Sequence, residues 1–290
     1  DTQAEIRKII GKPIAIKRQN ESFKDETHLT MKKMLDMFNK HQLYASPAFV
    51  LNELCKYLKE HNVLPALCFV FSRKNVEKYA SQISVNLLED DSKVSYTVRK
   101  ECEQMIRKLP NFEEYLRLPE YETMVSLLEK GVAVHHSGIM PILREIVELM
   151  FSKGYIKLLF ATETFAVGIN MPTKTVIFSN LSKYTSKGMR MLLSHEYTQM
   201  AGRAGRRNID TVGHVIHCNN LFGNNYPTMT EYKSILSGIP QILKSKFAIS
   251  YHLLMNLTSI GEVNFKDYIE GSMMQEDIDN TKKYINDTIV

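Results

Sequence analysis

Short apolar runs that alternate with helical segments constrain the fold of this chain more than any other feature. The run from Ala66 to Phe71 is apolar throughout, which predicts a strand buried on both faces, as in a parallel sheet. Four further strands are predicted at Val132–His135, Lys157–Ala161, Thr175–Ser179 and Gly213–His217. Strands that alternate with helices predict an α/β fold, with a mostly parallel sheet and helices on both faces.

Start and stop signals place helices between these strands. Ser46-Pro47 is typical of an N-cap followed by a first helical residue, and Gly154 follows a helix predicted from Pro141 to Phe151. Further helices are predicted from about Arg73, over residues 97–109, from an N-cap at Ser194, and over residues 242–257. The charged, proline-containing segment 89–130 is interpreted as an insertion.

Composition and residue spacing exclude several classes of protein. The chain has 290 residues, of which 44% are hydrophobic and 24% charged, so it is neither disordered nor collagen-like. No apolar run approaches the roughly 18 residues of a membrane-spanning helix. None of the four cysteines forms a Cys-x-x-Cys pair, which argues against a zinc site or a disulfide framework. The pairs His135–His136 and His214–His217 point to opposite faces of strands, so no metal site is expected.

The first residues, Asp-Thr-Gln-Ala-Glu, contain neither an initiator Met nor a secretory signal. We therefore expect a piece of a longer intracellular protein, from the cytoplasm or the nucleus, with reduced thiols.

The strongest functional signal is the segment Gln199-Met-Ala-Gly-Arg-Ala-Gly-Arg-Arg207. The net charge of the chain is only +5, but six basic residues and a single acid lie within residues 183–207. Arg203 and Arg206 share a helical face or turn, and planar guanidinium groups suit phosphate oxygens. Gly202 and Gly205 leave room for a close approach. The alternative interpretation is a solvated basic loop.

Polar segments also follow three of the predicted strands. They are Phe71-Ser-Arg-Lys74, Val134-His-His-Ser-Gly138 and the start of Phe160–Pro172, which contains Thr162 and Thr164. Ligands of α/β sheets bind beyond the carboxyl ends of the strands, and we expect all four polar segments at that edge. Hydroxyls and backbone N–H groups there suit nucleic-acid phosphates, although a threonine after a strand is more often a helix cap.

In this order, the segments FSRK, VAVHHSGIMPILRE, ATETFAVGINMP and QMAGRAGRR resemble motifs IV, IVa, V and VI of the superfamily 2 DExH-box helicases. The most similar branch is the superkiller and exosome-cofactor RNA helicases. The resemblance is firm over residues 60–218 and weaker over residues 1–59, where Lys12-Pro13-Ile14 resembles the joint between two RecA-like domains. Over residues 242–276, KSKFAISYHLLMNL and YIEGSMMQ resemble the winged-helix region.

The resemblance implies a domain organisation and a function. Residues 1–45 would be an interdomain linker segment, 46–220 the second RecA-like domain with the insertion at 89–130, and 221–290 a partial winged-helix region. The function implied is that of the C-terminal half of an ATP-dependent RNA helicase, with 3′-to-5′ unwinding in RNA processing or decay. Its cofactors would be ATP and Mg²⁺, bound mainly by the N-terminal RecA-like half. Its partners would be RNA, that half, and an RNA-decay complex.

The resemblance also implies roles for individual residues. Gln199, Arg203 and Arg206 would face the ATP phosphates, and Arg206, with Arg203, would be the arginine finger that stabilises charge on the γ-phosphate, which is worth about 10³–10⁵ in rate. Residues implied in ATP binding or coupling are Gly168, Asn170 and Gly202. Residues implied in RNA binding are Ser72, Arg73, His136, Ser137, Gly138, Thr162, Glu163 and Thr164.

Two features separate this chain from a complete helicase. It contains no Gly-x-x-x-x-Gly-Lys-Ser/Thr, so the P-loop that would cradle the phosphates is missing. Asp25-Glu26-Thr27-His28 has the D-E-x-H spelling of motif II, but the preceding Lys17–Lys24 is polar and does not predict a buried strand. We therefore expect a solvated turn there and reject it as a metal site.

Two alternative functions stay open on the sequence. A DNA repair helicase of the same superfamily would share these motifs, although ATETFAVGINMP and the insertion favour RNA. A catalytically silent module that binds RNA or a protein partner is the other; the retention of Gln199, Arg203 and Arg206 argues against it.

Overall fold

A five-stranded parallel sheet organises the computed structural model, which describes residues 13–18, 21–41, 45–88, 92–165, 171–219, 226–238, 251–260, 264–271 and 273–289. Its strands are β1 (Ala66–Phe69), β2 (Val132–His135), β3 (Leu158–Ala161), β4 (Thr175–Phe178) and β7 (His214–His217). They lie in the order β2-β3-β1-β4-β7, and every neighbouring pair is parallel. The predicted α/β fold with a mostly parallel sheet is therefore confirmed.

Both faces of the central strands β1, β3 and β4 are buried, because successive residues of these strands enter different clusters. Leu67 and Phe69 of β1 pack in one cluster, and Ala66 and Cys68 pack in the other. Helices that flank the sheet are α2 (Pro47–Glu60), α3 (Arg73–Ser81), α4 (Ser92–Ile106), α5 (Phe112–Leu116), α6 (Pro119–Leu128), α7 (Pro141–Ser152), α8 (Ser194–Ala201) and α9 (Met229–Leu236). All four cysteines are buried and unpaired.

The helix starts follow local capping chemistry, with one correction. The Ser46 side chain accepts a hydrogen bond from the backbone N–H of Phe49, as an N-cap does. Ser194 is not the N-cap of α8, because the helix begins at Ser194 and Leu193 precedes it as the cap. The Glu196 carboxylate accepts from the Leu193 N–H at 2.9 Å, so the start of the helix is stabilised by the side chain at its third position rather than by a serine hydroxyl.

The segment that follows α3 contributes to the core. Helices α4 and α6 bury Val98, Cys102, Ile106, Val125 and Leu128 completely, in the same cluster as Leu67 and Phe69 of β1. Residues 92–128 are therefore packed against the sheet. Their interpretation as an insertion stays a prediction.

Two further elements were not predicted from the sequence. Strands β5 (Ser182–Thr185) and β6 (Gly188–Met191) form an antiparallel hairpin. Helix α1 (Asp25–Lys40) begins at the D-E-x-H segment, so the expectation of a solvated turn there was wrong. His28 is buried in its first turn and its Nε2 lies 2.9 Å from the carbonyl oxygen of Pro227. No strand precedes α1 within residues 13–18 and 21–24, and its Asp25 pairs with Lys233.

The chain divides into two compact units, at residues 1–239 and 240–290. Helices α10 (Tyr251–Ile260), α11 (Phe265–Glu270) and α12 (Met273–Ile289) belong to the second unit. The predicted domain boundaries and the winged-helix identity of residues 221–290 stay predictions. None of the helices in the described segments is long and apolar enough to cross a membrane.

Candidate functional site

Three neighbouring strands end at polar segments on one edge of the sheet. Because β2, β3 and β1 are adjacent and parallel, the residues after His135, Ala161 and Phe69 lie at the same end. The backbone N–H of Thr162 reaches the carbonyl oxygen of His135 at 3.4 Å, which joins two of the segments directly. The expectation that FSRK, HHSG and ATET share an edge is confirmed.

The first two segments are linked by a hydrogen bond. Arg73 Nη2 donates to Ser137 Oγ at 2.7 Å, and both side chains are exposed. Ser72 is the N-cap of α3, and its hydroxyl accepts from the Asn75 N–H at 3.5 Å. The edge therefore presents a guanidinium and a hydroxyl beside the N-terminus of α3, a combination that can bind phosphate.

His136 supports the turn at Ser137 and Gly138 on this edge. Its side chain is buried, its Nδ1 accepts from the Gly138 N–H at 3.1 Å, and its Nε2 lies 3.0 Å from Glu77 Oε1. Because Nδ1 accepts, the proton of the neutral ring is on Nε2 and is donated to Glu77. A Cβ at Gly138 would lie 3.1 Å from His136 Nδ1, so the turn at Ser137 and Gly138 is tightly packed on the ring.

The third segment combines two hydroxyls with an ion pair to strand β5. Thr162 Oγ1 and Thr164 Oγ1 lie 3.0 Å apart, with Thr164 exposed. Glu163 between them pairs with Lys183 of β5 at 2.5 Å. The Glu163 carboxylate is thereby committed to the hairpin, and the hydroxyls are the groups left to meet a ligand.

The loop that carries Arg203 and Arg206, residues 202–210, lies at the other end of the sheet and is called the arginine loop below. Ala204 bridges to Thr173, which precedes β4, and the Gly205 N–H donates to the Thr173 carbonyl at 2.8 Å. Thr173 is fully buried, and its backbone N–H donates to the Arg203 carbonyl at 3.2 Å. The expectation that all four polar segments share the carboxyl edge was therefore wrong for this one. It follows a helix rather than a strand, and its position is set by contacts with the residues before β4.

Arg206 is held by Asp210 through three hydrogen bonds. Arg206 Nε donates to Asp210 Oδ2 at 2.8 Å, Nη2 donates to Oδ1 at 2.9 Å, and the backbone N–H of Arg206 donates to Oδ2 at 2.9 Å. The Asp210 side chain is 5% exposed and that of Arg206 is 28% exposed. The hydrogen bonds from Arg206 lower the pKa of the Asp210 carboxyl to about 2.

Backbone geometry lets the loop fold back on itself. Asn208 has φ of +62°, a left-handed conformation that asparagine tolerates better than most residues. Gly205 has φ of +89° and packs on Gly213, which precedes β7. A Cβ at Gly213 would lie 2.6 Å from the Ala204 carbonyl oxygen, so only glycine fits there.

The remaining residues implied for ATP are placed unevenly. Gln199 is exposed in the last turn of α8, and Gly202 caps that helix with its N–H donating to the Thr198 carbonyl at 2.8 Å. Arg203 is half-buried immediately after this cap. Gly168 and Asn170 lie outside the described residues. The roles assigned to all of these residues stay predictions.

Several of the basic residues in the segment 183–207 are neutralised by acids. Glu196 accepts from Arg190 at 2.8 and 2.7 Å and lies 2.8 Å from Lys183. Burial by itself raises the pKa of the Glu196 carboxyl, but hydrogen bonds from Arg190 and Lys183 lower it to about 2. With the Arg206–Asp210 pair, the basic side chains of Lys183, Arg190 and Arg206 each have a carboxylate partner. The basic segment is therefore not a uniform phosphate-binding surface.

A buried aromatic network anchors α8 to the sheet. His217 Nε2 lies 3.1 Å from the Tyr197 hydroxyl, and His217 Nδ1 lies 2.5 Å from the Tyr232 hydroxyl. The Tyr197 ring stacks on Phe178 of β4 with centroids 4.9 Å apart. Burial lowers the pKa of His217 to about 4, so the ring is neutral at physiological pH.

Sequence reasoning missed three residues that build the arginine loop: Thr173, Asp210 and Gly213. An acid four residues after Arg206 was a visible signal for Asp210. Thr173 and Gly213 gave none, because their roles depend on contacts between segments that are distant in sequence.

Comparisons with known proteins show which family this sequence resembles. Residues 96–208 match the helicase conserved C-terminal domain family. The chain is 40% identical over 225 residues to the antiviral helicase SKI2 of Saccharomyces cerevisiae, a match that covers 77% of this chain and 17% of that protein. It is 38% identical over 228 residues to the exosome RNA helicase MTR4 of Homo sapiens, covering 77% and 21%.

A third similar protein is the DExH-box ATP-dependent RNA helicase DExH11 of Arabidopsis thaliana, 35% identical over 222 residues, covering 77% of this chain and 16% of that protein. The chain therefore spans only about a fifth of the length of these relatives. The match to the helicase C-terminal family includes the arginine loop up to Asn208 and the polar segments after β2 and β3. It does not include the segment Phe71–Lys74 after β1. The chain belongs to the DExH-box RNA helicases of the superkiller and exosome-cofactor type, and it contains their conserved C-terminal helicase domain.

Proposed function

We propose that this chain is the second RecA-like half of an ATP-dependent RNA helicase that acts in RNA processing or decay, with 3′-to-5′ polarity. In this proposal Arg206, with Arg203 and Gln199, faces the ATP phosphates, and the polar segments after β1, β2 and β3 contact the RNA backbone. The observation that carries the proposal is the Arg206 guanidinium, which is fixed in place yet partly open to solvent.

The arginine loop fits a phosphate group. Within the described residues, Arg206 uses Nε and Nη2 for Asp210, and its Nη1 amino group has no hydrogen-bond partner. A guanidinium with an open corner can donate to phosphate oxygens and stabilise charge that develops during hydrolysis. When bound, MgATP supplies the phosphoryl group whose transfer to water drives unwinding.

Mg²⁺ is assigned to the N-terminal half. Among the residues that the structure describes, no three His, Cys, Asp or Glu side chains are placed to hold a metal ion. The chain also has no P-loop, whose Ser or Thr would bind the metal. The proposed partners are RNA, an RNA-decay complex and the N-terminal RecA-like half, which would carry the nucleotide pocket. The proposed location is the cytoplasm or the nucleus.

The RNA track is supported by the type of groups at the carboxyl edge. Arg73, Ser137, Thr162 and Thr164 offer donors suited to phosphate and sugar oxygens, and Gly138 brings its backbone close. His136 and Ser72 hold the turn and the helix start that present these donors. Glu163 fixes the third segment through Lys183. Contacts of this kind bind the backbone without reading the sequence and weaken as salt rises.

The test uses the full-length protein and the variant Arg206→Ala. We expect loss of RNA-stimulated ATP hydrolysis by about 10³-fold or more, because an arginine finger contributes that much, with RNA affinity unchanged. The control is Arg117→Ala, whose side chain is 83% exposed and whose loss should leave hydrolysis intact. ATP hydrolysis at the wild-type rate in Arg206→Ala would refute the proposal.

The same preparation distinguishes the alternatives. Unwinding of matched tailed duplexes of RNA and DNA should favour RNA, since the similar proteins are named RNA helicases. A clear preference for DNA would assign the protein to repair. Tight RNA binding with no ATP hydrolysis in the wild type would identify a silent module.

A further inference from the structure

Arg206 and Asp210 form a closed loop of backbone and side-chain bonds. The backbone N–H of Asp210 donates to the Arg206 carbonyl at 2.9 Å, and the backbone N–H of Arg206 donates to Asp210 Oδ2 at 2.9 Å. The left-handed conformation of Asn208 turns the chain between them. The Asp210 carboxylate therefore has a fixed position relative to the Arg206 backbone before it meets the guanidinium.

The contact uses only one edge of the guanidinium. Asp210 takes Nε and Nη2 in the paired geometry that defines the plane of the group as well as its position. Nη1, at the opposite corner, has no partner among the described residues. The Asp210 side chain is 5% exposed whereas the Arg206 side chain is 28% exposed, so the acid is the more buried member of the pair.

We propose that Asp210 is a positioning residue for ATP hydrolysis, which holds the Arg206 guanidinium so that its Nη1 corner is presented to the γ-phosphate. The inference rests on the proposed function, because it assigns a task to a partner of Arg206. Asp210 itself does not touch the nucleotide. Its contribution is to remove the rotational freedom of the arginine side chain before the phosphate arrives.

Three features favour this role over an incidental surface ion pair. Exposed pairs hold one geometry weakly and contribute little, whereas this carboxylate is almost fully buried and accepts three hydrogen bonds. The arrangement is analogous to the carboxylates that orient metal-bound histidines, whose loss costs about 10–100-fold in function. The acid also occupies the edge away from the open corner, so it does not compete with a phosphate there.

The experiment is a double-mutant cycle in the full-length helicase, with kcat and KM for ATP measured at saturating RNA. Asp210→Asn keeps the size of the side chain but removes its charge and one of its acceptors. We expect kcat to fall by about 10–100-fold, KM for ATP to change by less than about threefold, and RNA affinity to stay the same. Glu53→Gln is the matched control, because it changes an exposed carboxylate that pairs with Lys56 and should leave kcat unchanged.

The second arm repeats Asp210→Asn in an Arg206→Lys background. A lysine has no planar fork, so Asp210 can no longer orient it and the substitution should change kcat by less than about twofold. An equal fall in kcat in both backgrounds would mean that Asp210 acts by stabilising the fold and would overturn the inference. Wild-type kcat in Asp210→Asn, with Arg206→Ala inactive, would also overturn it and leave the proposed function intact. If Arg206→Ala were itself fully active, the proposed function would fail first.

Discussion

The two ends of the sheet carry groups of opposite character. At the carboxyl ends of β1, β2 and β3 lie the hydroxyls of Ser137, Thr162 and Thr164 and the guanidinium of Arg73, contributed by three separate segments. Beside the residues that precede β4 and β7, one short loop carries Arg203 and Arg206, and a buried carboxylate fixes Arg206. The first end spreads modest interactions over several residues, and the second concentrates one charge at one position.

This difference predicts how each site should respond to a single substitution. A polymer backbone is bound by the sum of many weak contacts, so the loss of one of them lowers affinity by a small amount. Hydrolysis depends on charge stabilisation at a single point, so a small displacement there has a large effect. The predictions below test this asymmetry in order of expected effect.

After Arg206→Ala, the largest effect is expected at Gly213, because any side chain there breaks its close contact with the arginine loop. In Gly213→Ala the new Cβ would lie 2.6 Å from the Ala204 carbonyl oxygen and 2.8 Å from the Gly205 nitrogen, so the loop has to move. We expect kcat for ATP to fall by about 10²-fold or more in the full-length helicase, with RNA affinity within about twofold. Steady-state ATP hydrolysis and RNA titrations measure both quantities.

The control for this variant is Gly271→Ala. A Cβ there would lie 3.4 Å from the nearest backbone oxygen, which is an ordinary contact, and kcat should not change. A Gly213→Ala protein with normal kcat would show that the position of the arginine loop tolerates displacement. That result would remove the asymmetry between the two ends.

A smaller effect is expected at Arg73, an exposed cation in the segment after β1. Arg73→Ala removes one phosphate contact and the hydrogen bond to Ser137. RNA affinity should fall by about 3–10-fold, and the slope of log affinity against log salt should decrease by about 0.7, the value for one phosphate on a single strand. The substitution Arg73→Lys should restore most of the slope. A loss of affinity with an unchanged slope would mean that Arg73 does not contact phosphate.

The smallest effect on activity is expected at His217, where the prediction concerns stability. The folded-state pKa of about 4 is below the value of about 6.5 for an unfolded chain, so the unfolded state binds more protons between these values. The contribution of the neutral ring is complete above pH 6.5 and is lost as pH falls towards 4. Urea unfolding of the chain at pH 7, 5.5 and 4.5 should show this loss, on the order of 2 kcal/mol in total.

The variant His217→Gln isolates this titration. Its stability should be less dependent on pH across the same range, because the titrating ring is gone. Asp210 and Glu196, whose pKa values are lowered to about 2, contribute stability that is lost only below about pH 4.5, so they do not confuse the comparison. An identical pH dependence in both proteins would contradict the assignment to His217.

The sheet could be predicted from the sequence because its strands are apolar on both faces. Val132–His135 was located to the residue, and the other strands were located to within two residues at either end. The hairpin of β5 and β6 was missed because Ser182–Thr185 and Gly188–Met191 are neither continuously apolar nor joined by a typical turn pair. Helix α1 was missed because its N-cap position is Lys24, which makes no side-chain capping bond.

The residues of the candidate site were also only partly predictable from the sequence. The residues that carry chemistry stood in recognisable segments, since Arg206 and Thr162 have the functional groups themselves. The residues that hold them did not, because Thr173, Gly213 and Asp210 act through distances and burial that only folding creates. The location of the arginine loop at the other end of the sheet was likewise set by tertiary contacts with Thr173.

The central claim is that hydrolysis and RNA binding depend on separate ends of this sheet. The most direct measurement compares Arg206→Ala and Arg73→Ala of the full-length helicase in one assay, with kcat for ATP at saturating RNA and the Kd for RNA determined for each. The account predicts that Arg206→Ala loses kcat by about 10³-fold or more and keeps its Kd, and that Arg73→Ala weakens Kd and keeps its kcat. If both variants lost kcat and RNA affinity together, the separation of the two ends would be contradicted.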